Sequence, residues 1–298
     1  MNDKKLLFAK TLKDIRLKKG FSQEDISEIS YININTISRM ENGRDSYDFD
    51  KLDILSDIYK VDLIECYFNI FYGDANEIDF IINSINKKDR INGSLMTEEI
   101  DSLTEILKKS KRKVIKTKAN KLILFLKSIE EKDNYIRKKL ILEALNIGGE
   151  FDFDNLNNNY YDYIDYRILM NYAQTLERPR DRINIYKFIE KSNSTYNNIE
   201  YLVFHNMAAD YYILGVKDKA LEYINKSFSS NPKSYISPVM LYTKALILES
   251  LDLSYEKYIE KSLEIAKDQG EDVYNTILDH WENRFKNNKQ WKIHISKW

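Results

Sequence analysis

The sequence predicts an all-α protein, with a small N-terminal domain followed by a larger domain of paired helices. Three prolines and eight glycines interrupt its 298 residues. Each lies at the edge of a segment with the 3.6-residue spacing of apolar side chains that is typical of helices. Three related pentapeptides recur at intervals of 35 residues in the C-terminal half. Long alternation of apolar and polar residues, which would indicate strands, does not occur.

The overall charge of the chain does not by itself indicate a nucleic-acid-binding protein. Its 46 basic and 47 acidic residues leave a net charge of −1, so any affinity for DNA must come from local asymmetry. Residues 4–19 provide this asymmetry, because they include only one acidic residue, Asp14. The basic residues of the segment are Lys4, Lys5, Lys10, Lys13, Arg16, Lys18 and Lys19. The same pattern is typical of an amphipathic helix with a solvated polar face.

Cys66 is the one cysteine of the chain, so we expect no internal disulfide and a reducing compartment. The N-terminus contains an apolar run of four residues, which is too short for the core of a signal peptide. No segment approaches the roughly 20 apolar residues that span a bilayer. We therefore expect a cytoplasmic protein that does not enter a membrane.

We place the N-terminal domain at residues 1–72 and expect five helices in it. The first should run over residues 3–19. Its buried stripe is expected to consist of Leu7, Phe8, Leu12 and Ile15. Gly73 and Asp74 follow the fifth helix and mark the boundary to a second domain at residues 73–298.

The stretch from Ser22 to Gly43 predicts two short helices joined by a tight turn. Ser22 is a good N-cap, and the acidic residues that follow it suit the positive end of a helix dipole. Ile26 and Ile29 should form the apolar face of the first of these helices. Asn33 can cap the second, whose buried side is expected to carry Ile37 and Met40. Gly43 then ends it.

The outward face of that second helix is expected to meet base edges in DNA. Asn35 and Arg39 can read bases in the major groove, and Ile34 can touch a thymine methyl group. Amides near the helix ends, such as those of Gln23 and Asn42, can hold phosphates. The full candidate DNA-binding set is Gln23, Asn33, Ile34, Asn35, Thr36, Ser38, Arg39, Asn42 and Arg44.

The motifs SQE at 22–24 and TISRMENG at 36–43 resemble the helix-turn-helix of lambda/Cro-like repressors of the XRE type. The flanking segments extend the resemblance over about residues 5–70, which implies a lambda-repressor-like domain. The resemblance also implies a structural ion pair between Arg16 and Glu41, although Arg16 could instead contact a phosphate. Tyr31 departs from the family, which usually has glycine in this turn, and a bulky residue with positive φ would be strained.

The segment 108–121, KKSKRKVIKTKANK, has eight basic residues and no acidic one. It can be interpreted as a basic arm that rests against DNA. The alternative is a solvated helix face with no partner.

The pentapeptides FIEKS (188–192), YINKS (223–227) and YIEKS (258–262) are 35 residues apart. A period near 34 with one helix pair per unit is typical of tetratricopeptide (TPR) repeats. We expect clear repeats at about 163–270 and a capping helix at about 271–287. Each unit has one slot at which small residues should let two helices cross closely, occupied by Ala173, Ala208 and Thr243. Such units stack into an α-superhelix with a concave surface.

The concave surface of a TPR-like superhelix usually binds an extended peptide. Asn171 and Asn206 occupy the same repeat slot, where two amides could clamp a peptide backbone through donor and acceptor groups. They could equally bond between helices. The candidate peptide-binding set is Arg167, Met170, Asn171, Gln174, His205, Asn206, Tyr212, Met240 and Lys244.

An XRE-type domain followed by about five helix pairs resembles the Rgg/PlcR/PrgX/NprR group of quorum-sensing regulators, called RNPP. The resemblance implies a homodimer that binds double-stranded promoter DNA and is controlled by a short signalling peptide, as a pheromone receptor. We expect no catalytic residues, metal or cofactor, because the sequence contains no motif for them.

Two alternatives remain open. One is an XRE-family repressor whose TPR domain serves only for dimerisation, and the other is a TPR protein-binding or Rap-like phosphatase regulator. An enzyme is not expected, because His205, His280 and His294 are scattered and show no metal-ligand spacing.

Overall fold

A computed structural model describes residues 2–88, 96–192 and 199–284. These residues form α-helices joined by short turns and include no strands, which confirms the predicted all-α class. The chain divides into two compact units, Met1–Phe80 and Ile81–Trp298. His294, one of the three scattered histidines, lies outside the described residues.

The first unit contains α1 (Asn2–Lys18), α2 (Gln23–Ser30), α3 (Ile34–Glu41), α4 (Phe49–Tyr59) and the start of α5 (Leu63–Lys88). Its core is formed by apolar residues from all five helices: Phe8, Leu12, Ile26, Ile37, Met40, Leu52, Leu55, Tyr59 and Leu63. Aromatic side chains of α5 complete it, since Tyr67 and Phe71 both lie edge-on to Phe8. These contacts fix α2 and α3 on α1 and α4.

Two residues predicted to be buried in this unit are exposed. Leu7 and Ile29 have 53% and 51% of their surfaces accessible, so their assignment to buried stripes is wrong. Each lies at the margin of its helix's apolar face, and Ala9 is buried on α1. Periodicity locates such a face but does not give its width.

The helix α5 continues through the predicted domain boundary. Tyr72 has non-helical dihedral angles, φ −128° and ψ 23°, and the helical segments on either side are kinked there. A single interior glycine such as Gly73 costs a helix only about 1 kcal/mol relative to alanine, so it does not have to end one. The division between the two compact units falls eight residues after that boundary, between Phe80 and Ile81. The predicted boundary at residues 72/73 stays a proposal, which the kink at Tyr72 supports.

The second unit is a series of helices in which successive neighbours pack on one another. It contains α6 (Thr97–Lys109), α7 (Lys113–Glu130), α8 (Asn134–Asn146), α9 (Tyr163–Gln174), α10 (Pro179–Lys191), α11 (Glu200–Ile213), α12 (Lys217–Ser230), α13 (Pro238–Ser250), α14 (Glu256–Gln269) and α15 (Glu271–Asn283). Short 3₁₀ turns lie at Leu156–Asn158 and Pro232–Ile236. The 35-residue repeat therefore corresponds to helix pairs α9–α10, α11–α12 and α13–α14.

The serine that ends each pentapeptide explains part of the repeat. Ser227 on α12 donates its hydroxyl to the carbonyl of Tyr201 at 2.7 Å, and Ser262 on α14 donates to that of Pro238 at 2.6 Å. Both serines are fully buried. Each bond therefore ties the second helix of a pair to the beginning of the first. Ser192 instead donates to Phe188 within its own helix.

A buried ion pair links neighbouring repeats. The Arg182 guanidinium on α10 donates from Nε to both carboxylate oxygens of Asp210 on α11, at 2.9 Å each. It also donates to the carbonyl of Leu176 at 2.9 Å, beyond the end of α9. The buried guanidinium needs hydrogen-bond partners, and it finds them in two successive helix pairs.

Candidate nucleic-acid interface and repeat-domain site

The helix α2 begins in a capping box. The Ser22 hydroxyl accepts from the Asp25 backbone N–H at 3.0 Å, and the Asp25 carboxylate accepts from the Ser22 N–H at 2.7 Å. The bond from the Ser22 backbone N–H to the carboxylate is the main cause of the lowered pKa of Asp25, and the Ser22 side chain lowers it further. A negative charge in the first turn also suits the helix dipole. The predicted role of Ser22 as a cap is confirmed.

The turn between α2 and α3 has the strained residue that the sequence indicates. Tyr31 adopts the left-handed conformation, φ 56° and ψ 18°, and its side chain is 95% exposed. The preceding Ser30 hydroxyl accepts from the Ile32 N–H at 3.1 Å, which holds the turn closed. A bulky residue is therefore tolerated here because its side chain projects into solvent, while the backbone strain of about 1–2 kcal/mol remains.

The helix α3 separates a buried side from an outward side. Asn33 caps it by accepting from the Asn35 N–H at 2.9 Å. Ile37, Met40 and Glu41 are buried. Of the predicted DNA-binding residues, the exposed ones are Asn33, Asn35, Arg39, Asn42 and Arg44, and the half-buried ones are Gln23, Ile34, Thr36 and Ser38. The whole set is accessible at least in part, with the α3 members on one side of that helix.

Arg39 is an exposed side chain of this surface with one loose ion pair. It is 60% exposed, and its Nε lies 3.7 Å from the carboxylate of Asp45. An exposed ion pair at that distance contributes little to stability. The guanidinium can therefore leave Asp45 at small cost.

A buried network attaches α3 to α1. Arg16 donates from Nε and Nη2 to the two carboxylate oxygens of Glu41, at 2.6 and 2.9 Å. Its Nη1 donates to the carbonyl of Phe21 at 2.7 Å. The bond to Glu41 is the main reason that the pKa of Arg16 is raised. The ion pair implied by the resemblance is present, and Arg16 is too buried to serve as a phosphate contact.

Gln23 is a third member of this network, which the sequence did not indicate. Its amide nitrogen donates to Glu41 at 2.8 Å, so one of its two N–H groups is already used inside the protein. Asn42 is similar, because its amide donates to the Ser38 carbonyl at 2.7 Å. No sequence signal separates an amide that faces DNA from one that folds back, since both stand at helix ends.

The predicted peptide-binding residues are mostly buried in this structure. Gln174 and Tyr212 are half-buried, and the rest are buried: Arg167, Met170, Asn171, His205, Asn206, Met240 and Lys244. Met170 and Met240 belong to the core of the repeats. An open groove lined by these residues is not present in this conformation, and their role in peptide binding stays a prediction. The helix α13 is buried at every position from Pro238 to Leu248, which periodicity alone could not indicate.

The two asparagines of the predicted clamp lie at equivalent, buried positions. Asn171 donates its amide to the carbonyl of Arg167, one turn earlier in the same helix, at 2.9 Å. Against the larger effect of burial, Asn206 acts to raise the pKa of the adjacent His205. A peptide backbone would therefore have to reach two buried amides, one of which already donates within its own helix. The clamp stays a proposal.

His205 connects two first helices of the array. Its Nε2 lies 3.0 Å from the Thr243 hydroxyl on α13. Complete burial lowers the pKa of His205 to about 4, so the imidazole is neutral at physiological pH. It functions here as a packing residue between repeats.

Lys244 lies between aromatic rings of the second helices. Its ammonium is 4.3 Å from the ring centroid of Phe228 on α12 and 4.9 Å from that of Tyr258 on α14. Burial lowers its pKa. The side chain is directed toward α12 and α14, and its predicted place on a peptide-binding surface stays a prediction.

The part of the chain that the structure describes has neither a metal-binding cluster nor a membrane-spanning helix. No group of three or more histidine, cysteine, aspartate or glutamate residues there could hold a metal ion. None of its helices is long and apolar enough to cross a membrane.

These features define a class: a helix-turn-helix domain followed by an array of stacked helix pairs. Residues 12–66 match the family HTH_3, described as helix-turn-helix. The first unit therefore contains a domain of that family, as the predicted XRE-type resemblance requires.

The chain is similar in fold to PlcR from Bacillus thuringiensis. Its crystal structure in complex with the peptide PapR7 and DNA has 15% sequence identity and a TM-score of 0.62, and covers 95% of this chain and 99% of PlcR. The apo form has 14% identity, a TM-score of 0.53 and the same coverage. No curated protein sequence matches the chain. The predicted resemblance to the RNPP group is thus confirmed at the level of the fold.

Proposed function

We propose that this protein is a cytoplasmic, sequence-specific transcriptional regulator that binds operator DNA through α2 and α3. The observation that carries the proposal is the outward polar face of α3, held on α1 by Arg16 and Glu41. The fold shared with PlcR, which was crystallised with a peptide and DNA, supports the same conclusion.

The side chains of α3 suit major-groove recognition. Asn35 offers an amide that can pair with adenine, and Arg39 a guanidinium that can pair with guanine. Ile34 is half-buried and can meet a thymine methyl group. Asn33, Thr36, Ser38, Asn42 and Arg44 surround them and can bond to phosphates.

Arg39→Ala tests this recognition in the full chain. Duplexes selected from a random library by the native protein and by the variant should differ at one position in each half-site, with about 1–3 kcal/mol of discrimination lost there. Lys60→Ala, an exposed change on the end of α4, is a matched control that should leave the selected sequence unchanged. An identical consensus from Arg39→Ala would exclude α3 as the reading element.

We further propose that a short signalling peptide controls the protein through the helix-pair unit. The burial of Asn171 and Asn206 means that a peptide has to open the packing of the first helices before it reaches them. Binding would therefore favour a second conformation of the array, and DNA affinity would change with it. By linkage, DNA must alter peptide affinity by the same factor.

Titration calorimetry with short peptides tests this second step. Asn171→Ala combined with Asn206→Ala should weaken peptide binding and leave the DNA affinity of the peptide-free protein unchanged. Asn146→Ala, on an exposed amide of α8, is the control. Equal loss of both affinities would assign the two asparagines a folding role.

One observation favours a second candidate, a repressor in which the array serves only for dimerisation. The predicted groove residues are packed rather than open, as expected of a structural array. Sedimentation should show a homodimer under either proposal. Failure of every native short peptide to bind or to change operator affinity would favour the structural array.

A further inference from the structure

A strongly basic surface lies at the connection between α6 and α7, outside the helix-turn-helix domain. From residue 106 to residue 129 the sequence has nine basic residues and no acidic one, in a chain whose net charge is −1. The structure exposes Lys108, Lys109, Lys111, Lys113 and Lys116 there. We call these five residues the basic turn.

The lysines of the basic turn lie at the N-terminus of α7, where the helix dipole favours negative charge. Lys113 begins the 18-residue helix α7, whose first turn has no acidic residue. Arg112, at the N-cap, provides no side-chain cap to the first N–H groups of α7, which have no partner within the helix. By contrast, α2, α4 and α9 each start with a side-chain cap and an acidic residue in the first turn. Cations at this end destabilise α7, and a bound anion would reverse that effect.

The charges of the basic turn are only partly neutralised by neighbouring side chains. Glu105 is shared between Lys108 and Lys109, at 2.9 and 3.4 Å, with all three side chains at least half exposed. Such surface pairs exchange readily with solvent. Within the described part of the chain, no carboxylate lies within ion-pair distance of Lys111, Lys113 or Lys116. The positive field therefore extends into solvent.

We propose that the basic turn is a second DNA-contacting surface, which binds the phosphate backbone without reading sequence. Lysines are point charges on flexible stems, so they suit a row of phosphates rather than base edges. The proposal rests on the DNA-binding function of α3, which supplies a duplex as the polyanion this protein meets. Its role is to add affinity and salt dependence to the specificity that α3 provides.

The test uses the full chain and a duplex selected by it from a random library, embedded in long flanks. The variant Lys111→Gln, Lys113→Gln, Lys116→Gln removes three charges from exposed side chains. Lys191→Gln, Lys261→Gln, Lys267→Gln is the matched control, since these lysines are also exposed and lie close to acidic residues in the sequence. Replacing the three test lysines by arginine keeps the charge.

We expect the glutamine variant to bind every duplex at least about tenfold more weakly at low salt. The slope of log affinity against log salt should fall by about 2 to 3, because each phosphate contact contributes about 0.9. The ratio between selected and random DNA should stay unchanged. The control and the arginine variant should behave as the native chain does.

Native affinity and slope in the glutamine variant would overturn the proposal. Unchanged DNA binding with lost binding to phosphatidylserine vesicles would also overturn it, in favour of a membrane surface. These outcomes differ from failure of the proposed function, in which the native chain selects no sequence at all.

Discussion

The Arg16–Glu41 pair provides the sharpest test of how α3 is held in place. Glu41→Gln keeps the shape of the side chain but removes its charge. Arg16 is then left buried, with the Phe21 carbonyl as its remaining strong acceptor. Two charge-assisted bonds are lost or weakened, and each is worth about 1.5–3 kcal/mol. Removing one partner of a buried pair costs about 3–5 kcal/mol.

Such a loss is a large part of the stability of a unit this small. Hydrogen exchange on the full chain, read from peptides of α1 to α3, should therefore show opening free energies reduced by about 3–5 kcal/mol. Operator affinity should fall with them, although neither residue faces DNA.

A double variant separates the effect of an unpaired buried charge from the effect of altered packing. Arg16→Met with Glu41→Leu replaces both charges by apolar groups, and it should recover most of the lost stability because no buried charge is left unpaired. Single and double variants of equal stability would contradict this. A loss below about 1 kcal/mol in Glu41→Gln would refute the argument that the pair is buried and coupled.

Three further predictions concern strain, pH and the repeat. Tyr31→Gly should stabilise the first unit by about 1 kcal/mol, because glycine adopts positive φ without strain. Hydrogen exchange of α2 and α3 measures this gain, and Lys60→Gly, also at positive φ, is a second example. A loss of stability in Tyr31→Gly would contradict the prediction. The His205 pKa of about 4 lies below its unfolded value of 6.5. The stability that the neutral imidazole contributes is therefore complete above pH 6.5 and is lost as the pH falls toward 4. The total loss in the free energy of unfolding should be about 3 kcal/mol. Urea unfolding at several pH values should show this difference between the native chain and His205→Gln, and parallel pH profiles would exclude it. Ser227→Ala and Ser262→Ala should each lower the free energy of unfolding in urea by about 1 kcal/mol. Ser192→Ala should lower it little, because the bond of Ser192 stays within one helix. Equal effects of all three variants would refute the inter-helix role.

Several features were determined by the sequence alone, because they depend on neighbours within a few residues. Ser22 and Asn33 cap helices where the pattern of small polar residues predicts them. The repeated pentapeptides correspond to the second helices of successive pairs. Even the strain at Tyr31 was predictable, since a helix pair this closely joined needs a residue with positive φ.

Other features were decided only by the tertiary structure. Gln23 joins Glu41 because folding brings residues 18 positions apart into contact. Met170 and Met240 are buried, and Lys244 is turned toward α12 and α14, because the first helices of the array are covered on more than one face. A hydrophobic period indicates that one face of a helix is buried. It does not indicate whether the polar face is also covered, since that depends on how tightly the helix pairs stack.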